Sequence, residues 1–163
     1  MKNTTYAHSK IYTSRQMGFL REIWQLQGKK IAFTNGCFDI LHVGHLASLS
    51  KAAEQADFLV VGINSDASTR RLKGSERPIN GQDARALMLA SLLIVDGVVV
   101  FEEDTPLEII KILRPDVLVK GGDYTIDQVA GARDVISWGG KVIINDIVPG
   151  FSTTNLANKI QQL

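Results

Sequence analysis

Hydrophobic residues along this chain fall into two rhythms. Short, mostly apolar runs rich in β-branched residues recur at 30–35 (KIAFTN), 57–64 (DFLVVGIN), 97–101 (GVVVF), 116–120 (DVLVK) and 141–146 (KVIIND). They are continuous rather than alternating, which predicts strands buried on both faces. Between them the spacing changes to threes and fours. Residues 14–27 form one such stretch, with Ser14 as its cap, Phe19, Ile23 and Leu26 as its apolar face and Gly28 as its stop. A second spans 43–56, where Leu46, Leu49, Ala53 and Ala56 share one side. Further helices are expected over 81–94, over 105–113 with Pro106 in the first turn, within 125–140 ahead of Gly139 and Gly140, and over 152–163. The segment 65–80 (SDASTRRLKGSERPIN) has no apolar period and reads as a polar, basic loop.

Strands that alternate with helices predict an α/β fold, a Rossmann-like, doubly wound, parallel five-stranded sheet with helices on both faces. The length suits one domain over residues 1–163, with the polar residues 1–10 as a flexible N-terminus. In such sheets ligands bind beyond the carboxyl ends of the strands. The positions to inspect are therefore those just after residues 35, 63, 101 and 120.

Composition narrows the function without naming it. The formal net charge is +1, which argues against a nucleic-acid-binding surface. No apolar run approaches the length of a membrane span. The polar start MKNTTYAHSK lacks a signal-peptide core, and Cys37 is the lone cysteine, so a cytoplasmic, reducing setting is expected.

The sharpest chemical signal is FTNGCFDILHVGH, residues 33–45. It places two of the three histidines, His42 and His45, around Gly44 at the start of a helix, just beyond the first strand. A helix N-terminus offers unpaired N–H groups and a partial positive charge. Gly44 lets a phosphate approach the backbone, and two imidazoles on one face can donate to its oxygens. A purely structural histidine pair, a zinc site and a general base for hydrolysis are the competing readings. Neither G-x-G-x-x-G after the first strand nor G-x-x-x-x-G-K-[ST] occurs, which argues against a dinucleotide dehydrogenase or a P-loop enzyme.

Other clusters fit a phosphate site. Arg70, Arg71, Lys73 and Arg77 follow the second strand and read as a mobile clamp or as a solvated basic loop. KGGDY (120–124) follows the fourth strand, where Gly121 and Gly122 allow a turn or a close approach and Asp123 could hold a metal or a hydroxyl. Ser152, Thr153 and Thr154 open the last helix, as a cap or as a second anion site. Asp39 could cap the histidine helix or orient groups around a metal and phosphate.

NGCFDILHVGH and GFSTT resemble, in this order and spacing, the two signatures of the H-x-G-H nucleotidyltransferase superfamily, which includes cytidylyltransferases and small adenylyltransferases. With INSDASTRRLKGSERPIN, FEEDTPLEIIKILRPDVLVKGGDY and VAGARDV, the chain is similar over about residues 11–163 to the D-glycero-β-D-manno-heptose 1-phosphate adenylyltransferases. The resemblance implies a reaction of ATP with the sugar 1-phosphate, giving ADP-heptose for the lipopolysaccharide core and pyrophosphate. It implies that His42, His45 and Lys73 act on the phosphates in the transition state. It implies nucleotide contacts from Asn35, Gly36, Cys37, Phe38, Asp39, Gly44, Arg85, Gly122, Asp123, Ser152, Thr153 and Thr154. Arg71 and Lys73 would form the mobile clamp. Mg²⁺ would be held through the phosphates, with Asp39 as a candidate ligand. A homodimer, served by a separate sugar kinase, is also implied. The chain departs from that family at Ala84, where a second acid is usual, and at Pro149. The same chemistry on CTP and glycerol 3-phosphate is the near alternative, and a non-catalytic nucleotide-binding module is the distant one.

Overall fold

A computed structural model describes residues 5–146. The expected closing helix, with Ser152, Thr153 and Thr154, lies outside the described residues. Five strands stand where the apolar runs predict them: β2 (Ile31–Gly36), β3 (Phe58–Asn64), β4 (Gly97–Phe101), β5 (Val117–Gly121) and β6 (Lys141–Asn145). A sixth, β1 (Ile11–Tyr12), has two residues and pairs with β4 through Ile11↔Val98 and Tyr12↔Val99. Two residues carry no period, which is why the sequence does not announce it. All the pairings are parallel, in the order β1-β4-β3-β2-β5-β6.

Alternation inside each strand feeds two cores. In β2, Ile31 and Phe33 face a layer made by α1 (Ser14–Leu26), α5 (Leu107–Leu113) and α6 (Ala132–Ser137). Ala32 between them faces the opposite layer, made by α2 (Val43–Ala53) and α4 (Gln82–Ala90). The same division separates Val60 from Leu59, Val61 and Ile63 in β3. Each strand is thus covered on both faces, and burial of each Ile, Leu, Val and Phe among them supplies about 1.5–3 kcal/mol.

The helix that opens the described fold differs from expectation in two ways. Thr13, not Ser14, caps α1: its hydroxyl accepts from the Gln16 N–H at 3.2 Å while Gln16 Oε1 accepts from the Thr13 N–H at 2.8 Å. The face turned inward carries Met17 and Trp24, the latter stacked on Phe58 with ring centroids 4.3 Å apart. Phe19, Ile23 and Leu26 point outward, 57%, 50% and 89% exposed. Two apolar stripes compete on α1, and the one whose aromatic ring meets β3 wins. Within the stretch expected to be flexible, His8–Lys10 form a 3-10 turn. Lys10 is buried and donates from Nζ to the Val95 carbonyl at 2.8 Å.

The expected basic loop is in part a helix, α3 (Asp66–Lys73). Ser65 caps it by accepting from the Ser68 N–H at 3.1 Å, and Arg70, Arg71 and Lys73 occupy the last turn, where cations suit the helix dipole. Small polar Ser68 and Thr69 are its buried residues, so no apolar period marks it. Ser68 meets its need for a partner by donating to the Glu103 carbonyl at 2.8 Å.

The chain runs from β2 through β3 to β4 on one side, then returns by α5 to place β5 against the other side of β2. The strand order therefore reverses between β2 and β5. A crevice opens there at the strands' carboxyl ends, the position favoured for ligands in such sheets.

Candidate active site

Asn35 and Gly36 end β2 at that crevice, and the chain turns through Cys37, Phe38 and Asp39 before α2 begins. Phe38 takes φ 49°, a left-handed conformation that bulky residues rarely adopt. Its buried ring packs against His45 with centroids 5.1 Å apart. Gly36 makes room, since a Cβ there would come within 3.1 Å of the Phe38 ring.

His42 is the N-cap of α2. Its Nδ1 accepts the His45 backbone N–H at 3.3 Å, which puts the proton of the neutral ring on Nε2 and makes that nitrogen a donor. The two imidazoles stack with centroids 3.8 Å apart and planes inclined by 21°. Burial lowers the pKa of His42. In His45, burial and the adjoining His42 ring bring it to about 4. Both rings are neutral at pH 7, so they offer N–H donors rather than positive charge. His45 Nδ1 is buried with no hydrogen-bond partner among the described residues. With Gly44 and the free N–H groups of the α2 first turn, this geometry suits anionic oxygens. No feature of it favours a zinc site: among the described residues no three His, Cys, Asp or Glu side chains gather to hold a metal ion.

Asp39 does not fit a metal ligand. It is buried, and its Oδ1 accepts from the backbone N–H groups of Ile79 and Asn80 at 2.7 and 3.0 Å. Its Oδ2 is 2.7 Å from Arg77 Nη1. Burial alone would raise its pKa, but the Asn80 and Ile79 N–H groups and the Arg77 guanidinium together lower it. The role it fills is to fasten the 74–81 segment to the histidine loop.

Arg85 reaches neither of the cavities described below, contrary to the nucleotide contact expected of it. It is wholly buried, at 0% exposure, and its guanidinium is spent on the protein. Nε donates to the Asn80 carbonyl at 2.9 Å, Nη1 to the Cys37 carbonyl at 2.6 Å and Nη2 to Asp66 Oδ1 at 2.7 Å. It joins the histidine loop, the 74–81 segment and α3 from behind the site. Arg71 is likewise engaged, donating to Asp104 Oδ1 at 2.7 Å and to the Glu102 carbonyl at 2.6 Å. Lys73 alone of the expected clamp faces the crevice. Asp123 is exposed beyond β5 and lines neither cavity. Gly122, at φ 129°, lets the Tyr124 ring lie where a Cβ would be 2.8 Å away.

Two cavities meet in the crevice. One, of about 260 Å³, lies over Asn35, Phe38, His42, Gly44 and His45. The other, of about 350 Å³, lies toward Lys73, Asp104, Thr105 and Gln128. Asn35, Gly36, Cys37, Lys120 and Tyr124 belong to both. Lys120 and Tyr124 were not among the expected site residues. The available signal was a lysine closing an otherwise apolar strand at its carboxyl end.

The model of the family described as Cytidylyltransferase-like matches residues 33–158. The chain belongs to the cytidylyltransferase-like family. Among curated relatives of this cytidylyltransferase-like domain, the Bifunctional protein HldE of Acidiphilium cryptum is 50% identical over 161 residues, 99% of this chain and 33% of that protein. The Bifunctional protein HldE of Geobacter sulfurreducens is 60% identical over 134 residues, 82% of this chain and 27% of that protein. The chain thus spans between about a quarter and a third of the length of these relatives. A solved structure described as the lipopolysaccharide core biosynthesis protein from Thermoplasma volcanium is 28% identical, with a TM-score of 0.60 over 74% of this chain and 97% of that one. The pantoate-beta-alanine ligase of Francisella tularensis, 18% identical with a TM-score of 0.61 over 94% of this chain and 78% of that one, shares the fold. Among the described residues no helix is long and apolar enough to cross a membrane.

Proposed function

We propose that this chain is an adenylyltransferase that joins ATP to D-glycero-β-D-manno-heptose 1-phosphate, giving ADP-heptose and pyrophosphate for the lipopolysaccharide core. The observation that carries the reading is the pair of stacked, neutral imidazoles at the N-terminus of α2, set at the point where the strand order reverses. Such a site stabilises charge on phosphoryl oxygens without supplying a nucleophile. The relatives named HldE and the lipopolysaccharide core protein favour the heptose pathway as its setting.

In this reading an oxygen of the sugar phosphate attacks the α-phosphorus of ATP. The new P–O bond forms as the bond to the β-phosphate breaks, and pyrophosphate leaves with its electron pair. The attacking oxygen is already anionic, so no general base is needed. His42 Nε2–H, the His45 ring and the N–H groups of α2 would donate to the oxygens that gain charge. Lys73 would approach from the end of α3. Mg²⁺ would accompany the triphosphate as a charge-neutralising ion, and no protein residue is assigned to hold it. The outward stripe of Phe19, Ile23 and Leu26 supports the homodimer reading.

The test is pyrophosphate release with Mg²⁺, with ATP or CTP as donor and the heptose 1-phosphate or glycerol 3-phosphate as acceptor, run in parallel. Release with ATP and not CTP is expected. The family's description as cytidylyltransferase-like makes CTP the informative rival, and release with CTP and glycerol 3-phosphate would replace this reading. Tight ATP binding with no release on any acceptor would point to a binding module. In the active protein, His45→Ala should lower turnover about 10²-fold or more.

A further inference from the structure

Why the crevice holds two cavities, and why a lysine stands between them, is open once the histidine site is assigned. In-line transfer sets a geometric demand: the attacking oxygen and the leaving pyrophosphate lie on opposite sides of the α-phosphorus. The histidine cavity carries the donors suited to the triphosphate. The acceptor must then arrive from the other side, across the shared wall of Asn35, Gly36, Cys37, Lys120 and Tyr124.

We propose that the cavity beside Lys73 is the acceptor subsite for a phosphorylated polyol, and that Lys120 is the residue that recognises its phosphate. This rests on the transferase reading above.

Lys120 is a half-buried cation with no carboxylate partner among the described residues. Its Nζ is 3.4 Å from Asn35 Oδ1 and 5.5 Å from the centre of the Tyr124 ring. A neutral amide and an aromatic face offset only part of the cost of a charge removed from water. A second cation, Lys73, lines the same cavity; burial above all, and Lys73 to a lesser degree, lower the pKa of Lys120 against the opposing influence of Cys37. Two ammonium groups face one space whose acidic side chain, Asp104, is already paired with Arg71, and they are poorly placed until an anion enters. A phosphate between them would relieve the repulsion and satisfy both. The rest of the wall is neutral or acidic. Asp104, Thr105 and Gln128 offer donors and acceptors for hydroxyl groups, which suits a polyol and not a second polyphosphate. At about 350 Å³ the space is at the small end of ligand pockets, about 300–1,000 Å³, as a single sugar phosphate requires.

The experiment compares wild type, Lys120→Met and Lys120→Arg. Steady-state pyrophosphate release is measured with each substrate varied in turn, and ATP binding is measured by calorimetry without acceptor. Lys120→Met should raise the acceptor KM about tenfold or more and leave the ATP Kd within about twofold, with Lys120→Arg in between. An unchanged acceptor KM, or an ATP Kd that worsens as much as the acceptor KM, would overturn the proposal. A measurement on the wild-type protein covers the case in which Lys120→Met does not fold. Reductive methylation of Lys120, followed by mass spectrometry, should be slowed by D-glycero-β-D-manno-heptose 1-phosphate and not by ATP alone; equal effects of both, or of neither, count against it. Wild type that releases no pyrophosphate defeats the transferase reading, while the methylation result still decides whether Lys120 meets the sugar phosphate.

Discussion

Arg85 donates from Nη1 to the carbonyl oxygen of Cys37 at 2.6 Å, from a position with no exposure to solvent. One buried guanidinium therefore sets the loop that carries the histidines. Its other nitrogens hold Asn80 and Asp66, so its removal leaves two carbonyls and a carboxylate without their donor. Arg85→Met should cost about 3–5 kcal/mol of stability, as for a broken buried pair, measured by chemical denaturation. Arg85→Lys should restore little of it, because an ammonium cannot match the planar fork that reaches three acceptors at once. Full stability in Arg85→Lys would show that charge, not geometry, is what the loop requires.

Asp39 gives a prediction of the opposite kind, about what it does not do. Asp39→Asn keeps the shape, loses the Arg77 ion pair and turns one acceptor into a donor facing N–H or N⁺–H groups. The expected cost is about 1–3 kcal/mol, with faster protease cleavage within residues 74–81. The Mg²⁺ concentration for half-maximal turnover should stay as in wild type. A large rise in that concentration would return Asp39 to the metal.

The fold was legible wherever apolar side chains decide it. β4 falls on the predicted run 97–101, β3 and β6 are one residue shorter at one end, and β2 and β5 are displaced by one residue at both ends. β1 was hidden because a two-residue edge strand is defined by its neighbour β4. α3 was hidden because Ser65, Ser68 and Thr69 build it with hydrogen bonds rather than with an apolar stripe. In the site, the positions of His42, Gly44 and His45 followed from their place after β2. What each polar side chain is bonded to did not. Asp39, Arg71 and Arg85 carry the charges of a phosphate site, yet each spends them on partners within the protein, as far as 48 residues away in sequence. Such pairings are products of the whole sheet. Lys120 is not announced by the sequence for the converse reason: a lysine at a strand end reads as solvated, and only the fold sets a cavity on either side of it.

The histidines give the apo protein an acid-sensitive stability. The folded-state pKa of His45, about 4, is below the 6.5 expected for an unfolded histidine. Between those values the unfolded chain binds more protons than the folded one, so this histidine's contribution is fully present above pH 6.5 and is lost as pH falls toward 4. His42 acts in the same direction through its own burial. Replacing His45 with Asn removes the group that must be deprotonated. The stability difference between wild type and His45→Asn should therefore shift in favour of the variant on going from pH 7 to pH 5. Denaturation curves at the two pH values check this, and a parallel fall in both proteins would remove His45 from the effect.

Two glycines in the left-handed region separate strain from function. Gly28 has φ 69°, a Cβ added to it would meet nothing within 4 Å, and it closes α1 far from the crevice. Gly28→Ala should cost about 1 kcal/mol through backbone strain and leave both KM values unchanged. Gly122 has φ 129°, and an added Cβ would lie 2.8 Å from Cε2 of Tyr124. Gly122→Ala must therefore move a ring that lines both cavities, in addition to the strain of about 1–3 kcal/mol. Its KM values for nucleotide and acceptor should rise together, because Tyr124 belongs to the wall the two cavities share. Steady-state kinetics on the pair of variants decide the matter. A rise in one KM alone would assign Tyr124 to a single cavity, and unchanged kinetics in Gly122→Ala would mean the ring can shift without consequence for either substrate.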